Sequence, residues 1–363
     1  MINNLYPICI LFFLNELINE FENNSIRKIY YVKNNKKRDI NLTIFLNKIK
    51  EFDTFCELEE MLPAKFHRKY VVKNKIDKSL LIKLNSKSIT CSSEKISQIY
   101  IVFDSAKEQS LLQYLNHKQH FIVNFKEADY IYSNRNIFKD EKLLNITDNL
   151  LSVFIEYDEL TKTKSEKGKL KSTSTKFPED SLFGFAQDVI LKDSQVLICD
   201  DLGNEWADLI SINENEIILC HAKYAISQLS ASDFHVVVSQ ALKNLGKFVA
   251  IEDEWKKKIA KWENDKFRLN KVTTKISKIL HNKSSLSIIR TINEVIEKPN
   301  YQRTIWLVIN YISIKQLRME FNKLKKSPST YTKPQVVQML WLLSSFVSVC
   351  KEFGVKVQIA CKP

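Results

Sequence analysis

The stretch ADLISINENEIILCHAK, residues 207–223, decides the fold of the C-terminal half of this 363-residue chain. Two apolar runs flank the turn-rich Asn213–Glu216, which predicts a hairpin of two antiparallel strands. A two-residue turn and a four-residue turn give the same register, and in that register Asp208 lies directly opposite His221. Lys223 follows on the same face as His221, so we expect these three polar side chains within reach of one another.

Helical and strand patterns alternate on both sides of this hairpin. The helix that follows it has one apolar stripe and can be capped by Ser230 or Ser232. The charged stretch Glu252–Glu297 is expected to be mostly helical, and a last strand is predicted over Val355–Cys361. Together with the hairpin and the helix after it, the other elements predict an α/β core in the order αβββαβ. Its helices are expected over Glu179–Val189 and Ser232–Leu245, and its strands over Gln195–Asp200, Ala207–Ile212, Glu216–Lys223 and Thr304–Tyr311.

The chain is long enough for two domains, and its composition changes sharply once. Residues 161–176 (TKTKSEKGKLKSTSTK) hold six Lys, one Glu and almost no apolar residue. They predict a solvated linker, or alternatively a segment that follows a phosphate backbone. We therefore expect a mixed α/β domain of unknown role over residues 1–160, the linker over 161–176, and the α/β core domain over 177–363. Strands in the first domain are predicted at Lys28–Val32, Lys69–Val72, Leu80–Leu84 and Gln98–Phe103.

Bulk composition limits the class of protein. Apolar residues make up 44% and charged residues 27% of the chain, as in globular proteins. The net charge of +13 fits a nucleic-acid partner, or equally the Lys-rich composition of an AT-rich genome. Seven scattered Cys predict reduced thiols in a cytoplasm. The apolar Tyr6–Leu14 is too short to cross a membrane and is expected to begin a buried helix.

The polar end of the hairpin suits phosphodiester hydrolysis. A carboxylate such as Asp208 can hold Mg²⁺ or Mn²⁺, and the ion activates a water and neutralises phosphate charge. His221 is the expected second ligand, and the backbone carbonyl of Ala222 a third. A nearby cation, Lys223, would orient the water or stabilise the developing charge.

With this pattern the sequence resembles the PD-(D/E)xK nuclease superfamily, which has an Asp on one strand and Glu-x-Lys on the next of an αβββαβ core. Asp208 matches the Asp, and His221-Ala222-Lys223 matches the second element, with His where an acid is usual. The resemblance implies a restriction-endonuclease-like core and a catalytic role for Asp208, His221 and Lys223. Gln240 corresponds to the Gln of a Gln-x-x-x-Tyr motif in RecB-like members, with Asn244 in place of the Tyr.

Further acidic and basic residues are candidates for the same site. Asp201 and Glu205 either add a carboxylate to the metal site or belong, with Asp200, to an ordinary turn around Gly203. Glu179 on the preceding helix corresponds to an upstream acid of some superfamily members. Contacts to nucleic acid are expected from Lys223, Lys243 and Lys247.

The segment Cys199–Lys223 is also similar to the nuclease-like parts of prokaryotic anti-phage and restriction proteins. This resemblance implies a cytoplasmic, divalent-metal-dependent DNA endonuclease of a defence or restriction system. A helicase or ATPase would be a separate subunit, because no Walker A sequence is present. Two alternatives stay open, a non-catalytic subunit that binds nucleic acid or protein and an RNA-cleaving toxin. A homodimer is one open assembly, and no membrane partner is expected.

Overall fold

The computed structural model describes residues 2, 5–23, 26–61, 68–105, 107–201, 205–281 and 285–363. The chain divides into two compact units. Unit 1 comprises Met1–Leu144 and Lys323–Gln338, and unit 2 comprises Asn145–Asn322 and Met339–Pro363.

Unit 1 contains two antiparallel sheets and short helices. Its strands are β1 (Pro7–Phe12), β2 (Ile26–Lys33), β3 (Lys36–Ile40), β4 (Phe55–Glu60), β5 (Lys69–Val72), β6 (Leu81–Leu84), β7 (Ile89–Ser92), β8 (Ile99–Phe103), β9 (Glu108–Ser110), β10 (Phe121–Phe125), β11 (Tyr130–Ser133) and β12 (Asn136–Lys139). Its helices are α1 (Leu14–Asn23), α2 (Leu42–Lys50), α3 (Glu94–Ser97) and α4 (Leu111–Lys118). One sheet has the order β12-β11-β10-β1-β4-β5-β6-β7 and the other the order β3-β2-β8-β9.

The four strands predicted in unit 1 are confirmed as β2, β5, β6 and β8. The helix predicted to begin at Tyr6 is wrong, since Pro7–Phe12 forms β1 between β10 and β4. The strand is buried on both faces, so its continuous apolar run carries no alternation that would distinguish it from a buried helix.

Unit 2 is built around one mixed sheet. Its strands are β13 (Phe154–Glu156), β14 (Val196–Cys199), β15 (Leu209–Ile212), β16 (Glu216–Lys223), β17 (Lys266–Leu269), β18 (Val272–Ser277), β19 (Ile279–His281), β20 (Gln302–Ser313) and β21 (Lys356–Lys362). The remaining helices are α5 (Thr147–Leu151), α6 (Leu182–Phe185), α7 (Ala231–Lys243), α8 (Glu252–Asn264), α9 (Ser285–Ile296), α10 (Ile314–Lys326) and α11 (Pro334–Glu352). A π-helical turn over Ala186–Ile190 continues α6.

The sheet of unit 2 has the order β13-β21-β20-β16-β15-β14-β19, and β17 pairs with β18 in a separate hairpin. β14, β15 and β16 are mutually antiparallel, whereas β20 is parallel to β16 and β21 is parallel to β20. Cys220 and Ala222 of β16 face a core that includes Phe183 and Trp306. Alternate residues of β16 point to the opposite face.

The hairpin, the helix after it and the last strands follow the prediction closely. Ser230 caps α7 by accepting a hydrogen bond from the Asp233 backbone nitrogen at 3.2 Å. The stretch expected to be helical from residue 252 to 297 instead contains β17, β18 and β19 between α8 and α9. Charged side chains on the exposed positions of the β17–β18 hairpin hide its strand character in the sequence.

The division between the units differs from the predicted boundary after residue 160. Residues 145–160 belong to unit 2, where β13 pairs in parallel with β21 at the end of the main sheet. The predicted linker is also part of unit 2 and is bonded along its length. Lys164, Leu182 and Phe183 donate backbone hydrogen bonds to Asp180, Ser165 and Glu166 at 2.8, 3.0 and 3.0 Å.

Candidate functional site

The pairing of β15 with β16 follows the predicted register. It runs from Ile212 opposite Ile217 to Leu209 opposite Cys220, and it stops before the predicted pairing of Asp208 with His221, since the Asp208 backbone nitrogen donates to the Cys220 carbonyl instead. The ladder ends there, because the regular pairing of β15 begins at Leu209. Asp208 therefore lies at the point where the two strands separate, beside the carboxyl end of β16.

The Asp208 side chain takes a different direction from the predicted one. Its backbone nitrogen donates to the Cys220 carbonyl at 3.1 Å, and its carboxylate Oδ2 accepts from the Ala222 backbone nitrogen at 2.8 Å. The carboxylate replaces the acceptor that a longer β15 would have provided. Since the N–H and C=O of one residue in an extended strand point to the same side, the Ala222 carbonyl faces the same gap.

His221 is buried separately from Asp208. Its side chain is on the other face of the sheet from Cys220 and Ala222, is 2% exposed, and has an Nε2 atom without a hydrogen-bond partner. Burial lowers the pKa of His221 to about 4, so the imidazole is neutral at pH 7. No described hydrogen bond or ion pair joins His221 to Asp208.

The charge environment of Asp208 is negative. Burial raises the pKa of Asp208 well above its ordinary value, and Glu166 and Glu205 raise it further. The Ala222 hydrogen bond and Lys167 act in the opposite direction. Asp208 is 7% exposed and makes no ion pair with a described cation.

Glu166 and Lys167 come from the segment that was predicted to be a linker. Glu166 Oε2 accepts from the Tyr224 backbone nitrogen at 3.4 Å, directly after β16. Lys167 Nζ donates to Asp201 Oδ2 at 2.7 Å and lies 3.9 Å from Glu166 Oε1. Sequence reasoning missed both residues. The available signal was that Glu166 is the one acid in a Lys-rich segment.

Lys223 and its neighbours form the other side of the site. Lys223 Nζ lies 4.0 Å from Asp233 Oδ1, at the first turn of α7. Asp233 Oδ2 accepts from Ser230 Oγ at 2.5 Å. The hydroxyl of Tyr311 on β20 is buried without a partner, and its pKa is raised well above the ordinary value by burial and then by Asp233 and Glu166.

The remaining predicted acids have distinct positions. Asp201 is held by Lys167 and by Lys278, whose Nζ donates to the Asp201 carbonyl at 2.6 Å. The charge of Glu205 raises the pKa of Asp208, and no described hydrogen bond joins the two residues. The turn at Gly203 lies outside the described residues. Glu179 is exposed and pairs with Lys176 at 3.1 Å, so it does not join Asp208.

Asp200 has a structural position. It is fully buried and accepts from Lys258 Nζ at 2.8 Å, Trp262 Nε1 at 2.6 Å and the Trp206 backbone nitrogen at 2.7 Å. These contacts tie Asp200 to α8 and to the residues before β15.

The residues predicted on and after α7 make no described hydrogen bond or ion pair with Asp208. Gln240 is half-buried, about 10 Å along the helix from Asp233 at 1.5 Å per residue. Asn244 is buried and ends α7. Lys243 is exposed, whereas Lys247 pairs with Glu254 at 3.2 Å and lies over the Trp206 ring.

The site offers the type of donor atom that a divalent ion prefers, but its side chains alone do not complete a coordination shell. Asp208, Glu166 and the Ala222 carbonyl offer oxygen atoms, which Mg²⁺ and Mn²⁺ prefer. In the part of the chain that the structure describes, no group of three His, Cys, Asp or Glu side chains is arranged to hold a metal.

Among the described helices, none has the length and apolar character that a membrane crossing requires. Comparisons of the chain with protein-family models, with curated proteins and with solved structures give no match.

Proposed function

We propose that unit 2 is a divalent-metal-dependent nuclease that hydrolyses phosphodiester bonds in DNA. The observation that carries this proposal is the buried Asp208 carboxyl group, which has the Ala222 hydrogen bond but no ion pair with a described cation. A buried carboxylate without a counterion is costly, and such a group is typical of sites where a ligand supplies the opposite charge. Glu166 and Glu205 strengthen the attraction for a cation at this position.

The order of elements supports a restriction-endonuclease-like core. α6 with its π-helical turn, the antiparallel strands β14, β15 and β16, α7, and the parallel strand β20 follow the αβββαβ order. Asp208 precedes the second of these strands and Lys223 ends the third. These are the positions of the acid and the cation in the PD-(D/E)xK superfamily.

Asp208, Glu166 and the Ala222 carbonyl would hold the metal ion. A bound Mg²⁺ or Mn²⁺ supplies Lewis acidity and lowers the pKa of a coordinated water. Asp201 and Glu166 keep Lys167 charged beside Asp208, since both raise the pKa of Lys167 against the effect of burial. Asp233 orients Lys223 at the end of β16. The two lysines are placed to attract and neutralise a phosphate group.

The net charge of +13 is compatible with a nucleic acid as the substrate. A role in a prokaryotic defence or restriction system, with a separate helicase subunit, belongs to this proposal through the resemblance of Cys199–Lys223.

Cleavage of plasmid DNA in Mg²⁺ or Mn²⁺, with EDTA as the blank, tests the proposal. Asp208→Asn keeps an oxygen that can accept from Ala222, and Glu166→Gln keeps the acceptor for Tyr224, so both changes preserve the local hydrogen bonds. We expect each to lower the cleavage rate by roughly 100-fold or more, as loss of one electrostatic contact in an active site does. Glu179→Gln is the matched control, because Glu179 is exposed and outside the site.

A non-catalytic nuclease-like subunit is the second candidate function. Two observations favour it, namely the burial of His221 with its Nε2 atom unpartnered and the lack of a three-side-chain metal group among the described residues. Single-stranded DNA, plasmid and RNA should therefore be compared as substrates. Binding without metal-dependent cleavage of any of them would replace the first proposal by the second, and cleavage of RNA alone would indicate a ribonuclease.

A further inference from the structure

A polar cavity in unit 2 lies beside the β17–β18 hairpin, and Asp208 is not among the residues that line it. Its volume is about 530 Å³, within the range of roughly 300 to 1,000 Å³ that is common for small-molecule sites. Ile279 and Leu280 give it an apolar wall, and Thr175 and Ser277 add hydroxyl groups. The wall is fixed locally, since the Lys275 backbone nitrogen donates to the Ser174 carbonyl at 2.9 Å. We call this cavity the hairpin cleft.

The charge of the hairpin cleft is positive. Lys176, Lys266 and Lys275 line it, with one carboxylate from Glu263. Lys266 and Lys275 make no ion pair with any residue in the described parts of the chain. Lys176 pairs with Glu179 through atoms that are largely exposed, and such a pair is weak in water. The cleft therefore offers two cations without a protein partner.

Gln187 provides an independent sign of a ligand. It lines the hairpin cleft, and its Oε1 atom is buried with no hydrogen-bond partner. Gln187 lies in the π-helical turn Ala186–Ile190, a rare backbone form that occurs frequently at functional sites. A buried carboxamide oxygen without a donor is costly, so a rotation of the carboxamide that turns Oε1 into the cleft, toward a ligand N–H or O–H group, would be favoured.

We infer that the hairpin cleft binds a nucleotide unit. The phosphate would contact Lys266 and Lys275, and a base amine or sugar hydroxyl would donate to Gln187 Oε1. The base would lie against the apolar wall of Ile279 and Leu280. A strand of the proposed nucleic-acid substrate and a free nucleotide share this chemistry. The inference that the ligand is a substrate strand rests on the proposed nuclease function, whereas the nucleotide chemistry of the cleft does not.

Binding by the full chain in EDTA tests the inference without any cleavage. Fluorescence anisotropy of labelled single- and double-stranded oligonucleotides compares the wild type with Lys266→Ala/Lys275→Ala, at salt from about 50 to 200 mM. The control is Lys257→Ala/Lys271→Ala, which removes the same charge from exposed positions on α8 and in the β17–β18 turn. Competition by an unlabelled mononucleotide separates the two ligand sources.

We expect the cleft variant to bind about tenfold more weakly, with a salt slope reduced by roughly 0.7 to 0.9 for each lost phosphate contact. Gln187→Leu should weaken binding without changing the slope, because it removes no charge. Equal affinity and slope for the two double variants would overturn the inference. A loss of mononucleotide binding alone would assign the cleft to a free nucleotide.

The two proposals fail in different measurements. Wild-type protein that binds through the cleft but cleaves nothing would end the nuclease proposal and leave the cleft assignment intact. Conversely, the wild type could cleave DNA while the cleft variant binds nucleic acid as tightly as the wild type does. That result would support the nuclease proposal and overturn the assignment of the cleft as a nucleotide site.

Discussion

The carboxyl group of Asp208 is held at the end of the β15–β16 ladder by one backbone hydrogen bond, and burial, with smaller effects of Glu166 and Glu205, raises its pKa. In the absence of a cation, ionisation of this group opposes folding. The folded-state pKa is raised above the ordinary value of 3.8, so the unfavourable contribution grows as the pH rises above that value. Asp208 is thus a residue whose charge is costly for the fold and is retained, in our proposal, for a metal ion.

We predict that Asp208→Asn stabilises unit 2 while it abolishes cleavage. The urea midpoint at pH 7 in EDTA should rise, because the buried charge is removed and the Ala222 hydrogen bond can be kept. All five Trp residues belong to unit 2, so Trp fluorescence reports the unfolding of this unit. Adding Mg²⁺ or Mn²⁺ should raise the wild-type midpoint only. The exposed Asp188→Asn is the control, and a lower midpoint for Asp208→Asn would contradict the prediction.

His221 gives unit 2 a dependence on mildly acidic pH. Its pKa falls from an ordinary 6.5 to about 4 in the folded state. The unfolded chain therefore takes up a proton first as the pH decreases. Stability is complete above pH 6.5 and is lost toward pH 4, at up to about 1.4 kcal/mol per pH unit.

We predict that His221→Leu flattens this dependence. Urea unfolding at pH 5 and at pH 7.5, followed by Trp fluorescence, should show a smaller difference for the variant than for the wild type. Leu also removes the unpartnered Nε2 atom, so the stability at pH 7.5 should not fall. Cleavage by His221→Leu should remain near wild type, and a loss beyond about tenfold would return His221 to the active site.

At the scale of elements, the segment 161–176 carries part of the site although it has no regular strand or helix beyond its first residues. Backbone bonds to Asp180, Leu182 and Phe183 fix its position, and they place Lys167 next to Asp201. The positive charge of Lys167 lowers the pKa of Asp208. The segment therefore influences the pKa of a residue far from it in sequence, since Glu166 raises that pKa and Lys167 lowers it.

We predict that Lys167→Met shifts the acid limb of the pH–rate profile to higher pH. Without Lys167 the pKa of Asp208 rises, so a higher pH is needed to ionise the carboxyl group. The rate at pH 7 should fall by roughly tenfold or more. Lys223→Met should lower the rate while moving this acid limb less, because Lys223 pairs with Asp233 and the cation that lowers the pKa of Asp208 is Lys167. Identical profiles for Lys167→Met and the wild type would exclude this role.

The end of β14 is tied to α8 by the Asp200–Lys258 ion pair. Both oxygens of Asp200 accept from Lys258 Nζ at 2.8 Å, and Trp262 donates to the same carboxylate. Burial acts against the charge of both partners, raising the pKa of Asp200 and lowering that of Lys258. The pair joins the core sheet to the helix that precedes the β17–β18 hairpin.

We predict that Lys258→Met destabilises unit 2 by about 3 to 5 kcal/mol, because it leaves Asp200 buried without its cation. Asp200→Asn in the same chain should recover part of that loss, as a double-mutant cycle in urea would show. Lys256→Met, which breaks an exposed pair with Glu252 on the same helix, should leave the midpoint unchanged. If the free-energy changes of Lys258→Met and Asp200→Asn simply add in the double variant, the two groups do not interact.

At the scale of the whole molecule, the division into units predicts how the chain can be shortened. Residues 145–160 supply β13 and the buried Leu151, Phe154 and Leu160 to unit 2. We expect a fragment 145–363 to be more stable than a fragment 161–363 by several kcal/mol, since each lost large apolar side chain costs about 2 to 5 kcal/mol. Urea unfolding of both fragments by Trp fluorescence provides the comparison, and equal midpoints would favour a boundary at residue 160.

Features of the fold that depend on local sequence were predicted, and features that depend on contacts distant in sequence were not. The β15–β16 register and the α7 cap depend on local turn chemistry and apolar spacing, so the sequence predicted them. The direction of the Asp208 side chain depends on where the ladder stops, which no local pattern records. Glu166 reaches the site through backbone bonds to a segment that follows it, and its Lys-rich surroundings resemble a solvated linker.

The return of residues 323–338 to unit 1 has a consequence for synthesis of the chain. Unit 1 begins at the N-terminus, yet the backbone carbonyl of Pro334, 3.8 Å from the Cys9 sulfur on β1, is added after most of unit 2. At about 5 to 20 residues per second, a ribosome needs roughly 10 to 40 s to go from the end of the first segment to the second. The part of the protein that is translated first therefore waits for a late segment, and the nascent chain carries an unfinished N-terminal unit while residues 145–322 of unit 2 emerge.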